Sequence, residues 1–280
     1  MLVVAAVLLA ALLHASWNAT AHALPDREVT FFLINVAVAL VPLPVLPFVG
    51  VPAAGAWPFL LGSVLVHLAY NLLLLRSYQL GDFGQTYPLA RGTAPLVVAL
   101  VGVTLVGQRL TLPEVAGVLA ISGGLLVLVV GAGGVRAGRP AVLAAVATGL
   151  SIATYTVLDG VGVRRAGPEQ VDIAAYIAWL FVLQGPLIAG VIAFRRPSIL
   201  RDSRPLLVLG LLSGVVSLAA YGLVIWAQSR GQLATVAALR ECSIVFGALI
   251  GAVLFHERMG AVRVVGAAIV LSGVVLLAIA

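Results

Sequence analysis

The sequence predicts an all-α membrane protein: ten transmembrane helices arranged as two inverted five-helix repeats. Three observations predict it. The composition leaves too little polar surface for a soluble exterior, apolar runs recur along the whole length, and one constant offset maps the middle of the chain onto its end. Of 280 residues, 62% are hydrophobic and 9% charged, with a mean hydropathy of +1.17. A soluble domain is roughly half apolar and a quarter charged, so this chain has too few polar side chains to cover a water-facing surface. Each apolar run of roughly 18 or more residues is long enough to cross about 30 Å of hydrocarbon as a helix.

Taken in order, Pro, Gly and charge break the chain into spans near 3–23, 29–50, 59–80, 84–107 and 115–132, then 141–163, 171–193, 206–229, 233–255 and 263–280. The first span needs care, because Leu2 to Leu13 has the look of a signal-peptide core and Ala21-His22-Ala23 of a cleavage site. No basic residue precedes it, and polar residues at helical spacing continue through Trp17, so it is read as a retained helix. Pro42, Pro44 and Pro47 interrupt the second span, and Gly185 with Pro186 interrupts the seventh. Paired interruptions of this kind mark hinge or gating elements in some carriers and simple packing in others. Pro95, in the fourth span, cannot donate to the carbonyl of Arg91 four residues earlier, which makes it a third hinge candidate. The polar stretch Gly133 to Pro140 separates a first repeat, 1–133, from a second, 140–280.

The division rests on a duplication. Shifted by 149, residues 91–128 fall on 240–277, so that Arg91 meets Arg240, Gly102 meets Gly251 and Arg109 meets Arg258. Gly117 then meets Gly266, and Gly124 meets Gly273. Apolar matches are cheap in so biased a composition, but paired arginines and glycines at one offset are not. Five spans per repeat is an odd number, so the second repeat enters the bilayer from the opposite face. Inverted repeats of this kind are a carrier architecture.

Charge excludes other classes. The formal net charge of +6 comes from arginine alone, since the chain has no lysine. These arginines sit mainly in short loops, where they set orientation and touch anionic headgroups, so no nucleic-acid partner is expected. One cysteine, Cys242, rules out an intrachain disulfide. No phosphate-cradling loop, HExxH motif or serine elbow is present, no metal or cofactor site is expected, and the chain is not read as an enzyme. The side bearing both termini holds Arg109, Arg164, Arg165 and Arg230, and the other holds Arg27, Arg136, Arg139, Arg195, Arg196, Arg201, Arg204, Arg258 and Arg263. By the positive-inside rule this places the termini away from the cytoplasm.

Ionisable and polar groups within spans are the candidate site. Arg91 and Arg240 are expected to approach the midplane from opposite faces, where a bidentate donor suits a carboxylate or phosphate; snorkelling, or a structural pair between Arg91 and Glu241, is the alternative. His14, Trp17 and Asn18 share one helix face at i, i+3 and i+4, as do His67, Tyr70 and Asn71. Ser151, Thr154 and Tyr155 repeat the spacing on the sixth span, and Tyr221, Trp226 and Gln228 are added from the eighth. Such faces turn inward as a cavity lining or as interhelical hydrogen bonding, because lipid satisfies neither. His14 or His67 is also a candidate proton relay.

Leu13-His14-Ala15-Ser16-Trp17-Asn18-Ala19 in the first span, Gly107-Gln108-Arg109-Leu110 after the fourth and Phe255-His256-Glu257-Arg258 after the ninth, with glycine-rich fifth and tenth spans, resemble the drug/metabolite transporter superfamily, specifically its ten-helix EamA-type members. The likeness covers essentially the whole chain. It implies a basket-shaped bundle with a central cavity in a bacterial inner membrane, carrying a small metabolite such as an amino acid, with the termini in the cytoplasm, against the charge count. The family's acidic residue before Arg109 is Gln108 here, while Glu257 keeps it in the second repeat. The expected activity is secondary transport of a small carboxylate-bearing solute. A lipid or isoprenoid-phosphate flippase is the alternative, and an intramembrane lipid enzyme using His14 or His67 with Asp159 a remote one. Efflux of hydrophobic cations is disfavoured, because the first span has no acidic residue. Expected partners are the solute, membrane lipids and coupling protons; monomer or homodimer is left open.

Overall fold

The computed structural model describes residues 1–80, 83–131, 138–254 and 260–280. The motif Phe255-His256-Glu257-Arg258, together with Arg136, lies outside them. The principal helices are α1 (Leu2–Ala23), α2 (Arg27–Leu40), α3 (Trp57–Leu80), α4 (Phe83–Thr104) and α5 (Leu112–Gly131), then α6 (Arg139–Ala166), α7 (Gln170–Arg195), α8 (Leu207–Arg230), α9 (Leu233–Arg240), α10 (Ser243–Leu254) and α11 (Ala261–Ile279). Among the described residues, eight segments are long and apolar enough to cross a membrane, and 89–104 and 112–128 supply two shorter ones. The protein is an all-helical membrane bundle.

Three spans differ from the sequence reading, each for a physical reason. The second does not run helically to residue 50. α2 stops at Leu40, and Pro42, Pro44 and Pro47 turn the chain through a 3-10 turn, Leu43–Val45, into a last turn, Leu46–Val49. Prolines lack the amides that a longer α-helix would require. The ninth span is split. Glu241 N–H bonds Ala238 O at 3.0 Å and Cys242 N–H bonds Leu239 O at 3.1 Å, an i to i−3 pattern that tightens the chain between α9 and α10. At the seventh span the expected interruption is absent: α7 passes through Pro186 unbroken. Gly185 serves packing instead, since a Cβ there would lie 2.7 Å from Asn35 O and from the Ala39 amide of α2. Pro95 is likewise buried within continuous α4.

The packing partners are matched across the two halves. α2 packs on α7 and α5 on α11, while α1 on α8 is mirrored by α3 on α6, and α1 on α10 by α4 on α6. The α5–α11 crossing shows the relation most directly. A Cβ on Gly117 would lie 3.0 Å from Gly273 O, and one on Gly124 2.8 Å from Gly266 O. The low-numbered glycine of one helix meets the high-numbered glycine of the other, so the two helices run antiparallel. All four are among the glycines that the 149-residue offset pairs. Lipid supplies no hydrophobic push between helices, so close backbone approach at small residues is what holds such a crossing.

At the end of the bundle where α1 finishes, an ion-pair network fixes the loops. Arg196 Nη1 lies 2.8 Å from Asp26 Oδ2, and Nη2 lies 2.8 Å from Asp202 Oδ2. Asp26 also caps α2 by accepting from Val29 N–H. Partial burial pushes the Asp26 carboxyl up, but the Val29 amide and the Arg196 guanidinium outweigh it and hold it below its ordinary value of 3.8.

Gly124→Ala forces α5 off α11 and is expected to cost about 1–3 kcal/mol, the usual range for overpacking. The neighbouring Gly123→Ala, where no atom lies within 4 Å of the added carbon, leaves stability unchanged. Thermal unfolding of the two purified variants in one detergent checks the pair.

Candidate functional site

The helices enclose a cavity of about 580 Å³, within the range of pockets that hold a small organic molecule. Its mouth lies where α1 ends and α11 begins, between Arg27 and Arg263, and its floor is formed by Arg91, Arg240 and Tyr155. At the opposite end the chain is closed by polar contacts between connections. Gly107, with φ +74, turns the chain after α4, a conformation that favours glycine, and so aims Gln108 across the bundle. Gln108 Oε1 accepts from Leu233 N–H at 3.1 Å, Gln232 Nε2 donates to Arg109 O at 3.2 Å, and Thr235 Oγ1 to Glu114 Oε1 at 3.3 Å. The departure at Gln108 thus gives a neutral cap on the start of α9.

The floor is a buried charge cluster built around the split in the ninth span. Arg91 Nε lies 2.6 Å from Glu241 Oε2, with the two side chains 3% and 0% exposed, and Arg91 Nη2 donates to Ser243 Oγ at 3.0 Å. Arg240 Nε stands 3.7 Å from Glu241 Oε1. Its guanidinium carbon lies 5.8 Å from the centre of the Tyr155 ring. Two arginines against one glutamate leave one positive charge in excess. Arg240 Nε and Nη2 are buried with no hydrogen-bond partner among the described residues. The two arginines that the sequence treated alike therefore differ in how closely they are held: Arg91 meets Glu241 at 2.6 Å and bonds Ser243, whereas Arg240 meets Glu241 only at 3.7 Å and its Nη2 makes no hydrogen bond among the described residues.

An aromatic wall rises from that floor. His67 stacks on Tyr155 with centroids 4.0 Å apart, and Tyr70 and Tyr221 meet Tyr155 edge-on at 5.6 and 5.9 Å. On α1, Trp17 Nε1 donates to His14 Nδ1 at 3.3 Å and Asn18 Nδ2 to His14 O at 2.7 Å; Asn71 Nδ2 bonds His67 O at 2.8 Å. His14, Trp17, Asn18, His67, Tyr70, Asn71, Tyr155 and Tyr221 all line the cavity together with both arginines.

Trp226 is a correction. It lies off the cavity, donating to Gln170 Oε1 at 3.3 Å and stacking under the Arg230 guanidinium. Five residues along an α-helix turn about 140° away, so a helix that presents Tyr221 inward cannot present Trp226 there too. Gln228 is buried elsewhere, on Thr156 O, and Thr154 is exposed. None of Pro42, Pro95 and Pro186 lines the cavity. The sequence reading missed the lining by Asn35, Gln184 and Ser217, polar residues inside apolar spans that the same rule would have flagged. Among the described residues no cluster of His, Cys, Asp or Glu could hold a metal ion.

Comparison with known proteins fits this architecture. A family model described as the EamA-like transporter family matches residues 139–279, just over half of the chain. One solved structure, described only as a crystal structure of a protein, superposes with a TM-score of 0.73 at 20% identity, over 98% of this chain and 94% of that one. At that identity the likeness is one of fold. No curated protein matches the chain.

Removing the glutamate from the cluster raises its net charge from one to two. Glu241→Ala is therefore expected to cost about 3–5 kcal/mol, as when one partner of a buried pair is deleted. The double change Arg91→Met with Glu241→Ala restores the original net charge and should recover much of that loss. A double-mutant cycle on unfolding in detergent reads the coupling.

Proposed function

Because the chain belongs to the EamA-like transporter family, we propose that it is a secondary transporter that carries a small carboxylate-bearing solute, amino-acid-like in size, by alternating access through the central cavity. Residues 1–133 and 140–280 act as the two inverted repeats that exchange open and closed ends. The observation that carries the substrate class is Arg240: a buried guanidinium on the cavity floor whose Nε and Nη2 lack hydrogen-bond partners, in a cluster with one positive charge in excess. A planar donor fork at the end of a hydrocarbon-embedded pocket is suited to a carboxylate. The cavity volume and its tyrosine and histidine wall suit an organic body behind that carboxylate. Arg27 and Arg263 at the mouth attract an anion before it enters.

In alternating access the cavity described here opens at the end where α1 finishes, and the Gln108–Leu233 and Gln232–Arg109 contacts are those that would part for the other end to open. Uptake of single radiolabelled amino acids by purified protein in proteoliposomes tests the reading. Saturable uptake is expected for at least one. Loss of a charge-assisted hydrogen bond is worth about 1.5–3 kcal/mol, so Arg240→Gln should raise KM about 10- to 100-fold. Phospholipid scrambling without amino-acid uptake would replace this reading with a flippase.

A further inference from the structure

Behind the cavity wall stands a second buried charge that the carboxylate site does not use. Asp159, on α6, is 0% exposed. Tyr176 of α7 donates its hydroxyl to Asp159 Oδ1 at 3.1 Å, and Tyr221 of α8 donates to Oδ2 at 2.5 Å. On α3, Ser63 contacts His67 Nδ1 through its Oγ at 3.2 Å and its carbonyl at 2.9 Å. Among the described residues Asp159 forms no salt bridge. Tyr221 and His67 both line the cavity, whereas Asp159 does not.

We infer that Asp159 is a proton-binding site that couples proton movement to the solute, with Tyr221 as its connection to the cavity. An ionisable group inside a span is costly and is kept where it has work to do. Two hydroxyl donors, from Tyr176 and Tyr221, stabilise the carboxylate, while burial without a salt-bridge partner favours the neutral acid. With both effects acting, each protonation state has its own support. The transfer is balanced: Tyr221 gives its hydroxyl proton to Asp159 Oδ2, and the phenolic oxygen takes one from a hydronium ion that enters the cavity and leaves as water. The titratable and charged groups gathered around Asp159 and its Tyr221 partner are Tyr176 from α7, Tyr221 from α8, Tyr155 on its own helix, His67 from α3 against both Tyr155 and Tyr221, and Arg240 from α9 over Tyr155. Arg91 of α4 is committed to Glu241.

Charge arithmetic gives the sense of the coupling. With Asp159 ionised, Arg91, Arg240, Glu241 and Asp159 sum to zero; with Asp159 protonated they sum to plus one. A carboxylate solute at Arg240 is therefore bound more tightly when the proton is on, and by reciprocity the solute favours the proton. Proton and carboxylate travel together. This sense rests on the carboxylate-transport reading, whereas the proton site itself does not.

The experiment has two arms that separate those readings. In the first, infrared difference spectra of the reconstituted, solute-free protein are recorded as pH is lowered. Wild type should develop the C=O stretch of a buried carboxylic acid, Asp159→Asn should lose it, and Tyr221→Phe should keep it at a shifted frequency. The Tyr221 variant decides the matter if the Asp159 variant does not fold. In the second, proteoliposomes are given single radiolabelled amino acids with an imposed pH gradient. Wild type should accumulate solute with the proton gradient, and Asp159→Asn should lose that accumulation. An unchanged band in Asp159→Asn, an unshifted band in Tyr221→Phe, or surviving gradient-driven accumulation overturns the proposal. If wild type transports no amino acid, the amino-acid reading falls and the band alone judges the proton site.

Discussion

The structure depends on holding two arginines and a glutamate inside a hydrocarbon-thick bundle. Each buried charge costs about 2.5–3.5 kcal/mol on insertion scales, and that cost is met only where the charges find one another and further donors. The split between α9 and α10 makes this geometry. By tightening to i−3 hydrogen bonds at Glu241 and Cys242, the chain brings Glu241 to Arg91 on α4 and places Ser243 within reach of the same guanidinium. A continuous helix would spread Arg240, Glu241 and Ser243 around its circumference. Broken spans at the centre of a carrier are where binding groups gather.

The two halves match in several helix pairings but not in chemistry. The glycine crossings of α5 and α11 and the matched helix pairs follow the duplication closely. At the floor, however, the positions paired with Glu241 and Ser243 are Gly92 and Ala94, so the acid and the hydroxyl come from the second half alone. Arg91 is thereby held at 2.6 Å from Glu241, and Arg240 at the longer 3.7 Å. Gln108 and Glu257 show a similar divergence at paired loop positions. The symmetric parts set how helices cross, and the asymmetric ones set what the cavity holds.

Most of the helical bundle was legible because span length and apolar periodicity are strong signals in a membrane protein. The inward faces of α1 and α3 were legible for the same reason, since polar residues at i, i+3 and i+4 on an apolar helix have few other places to go. What escaped had a physical cause in each case. The break in the ninth span has no proline or glycine to announce it; it follows from charge pairing across the bundle, which only the fold supplies. Conversely, Pro186 looked like an interruption, but a membrane helix can run through proline when its neighbours re-satisfy the freed groups. Trp226 shares a helix with Tyr221 but stands about 140° around it, so a common helix did not give the two a common face. The phenol donors around Asp159 come from helices far apart in sequence, and no local motif could join them.

The central claim is that Arg240 holds a carboxylate, and binding tests it more directly than transport. The measurement is the thermal stabilisation of purified protein by amino acids and by the matching amines that lack the carboxyl group, in wild type and in Arg240→Gln. Stabilisation by an amino acid but not by its amine, abolished in the variant, is the predicted result. Equal stabilisation by acid and amine, or an undiminished response in Arg240→Gln, would contradict it.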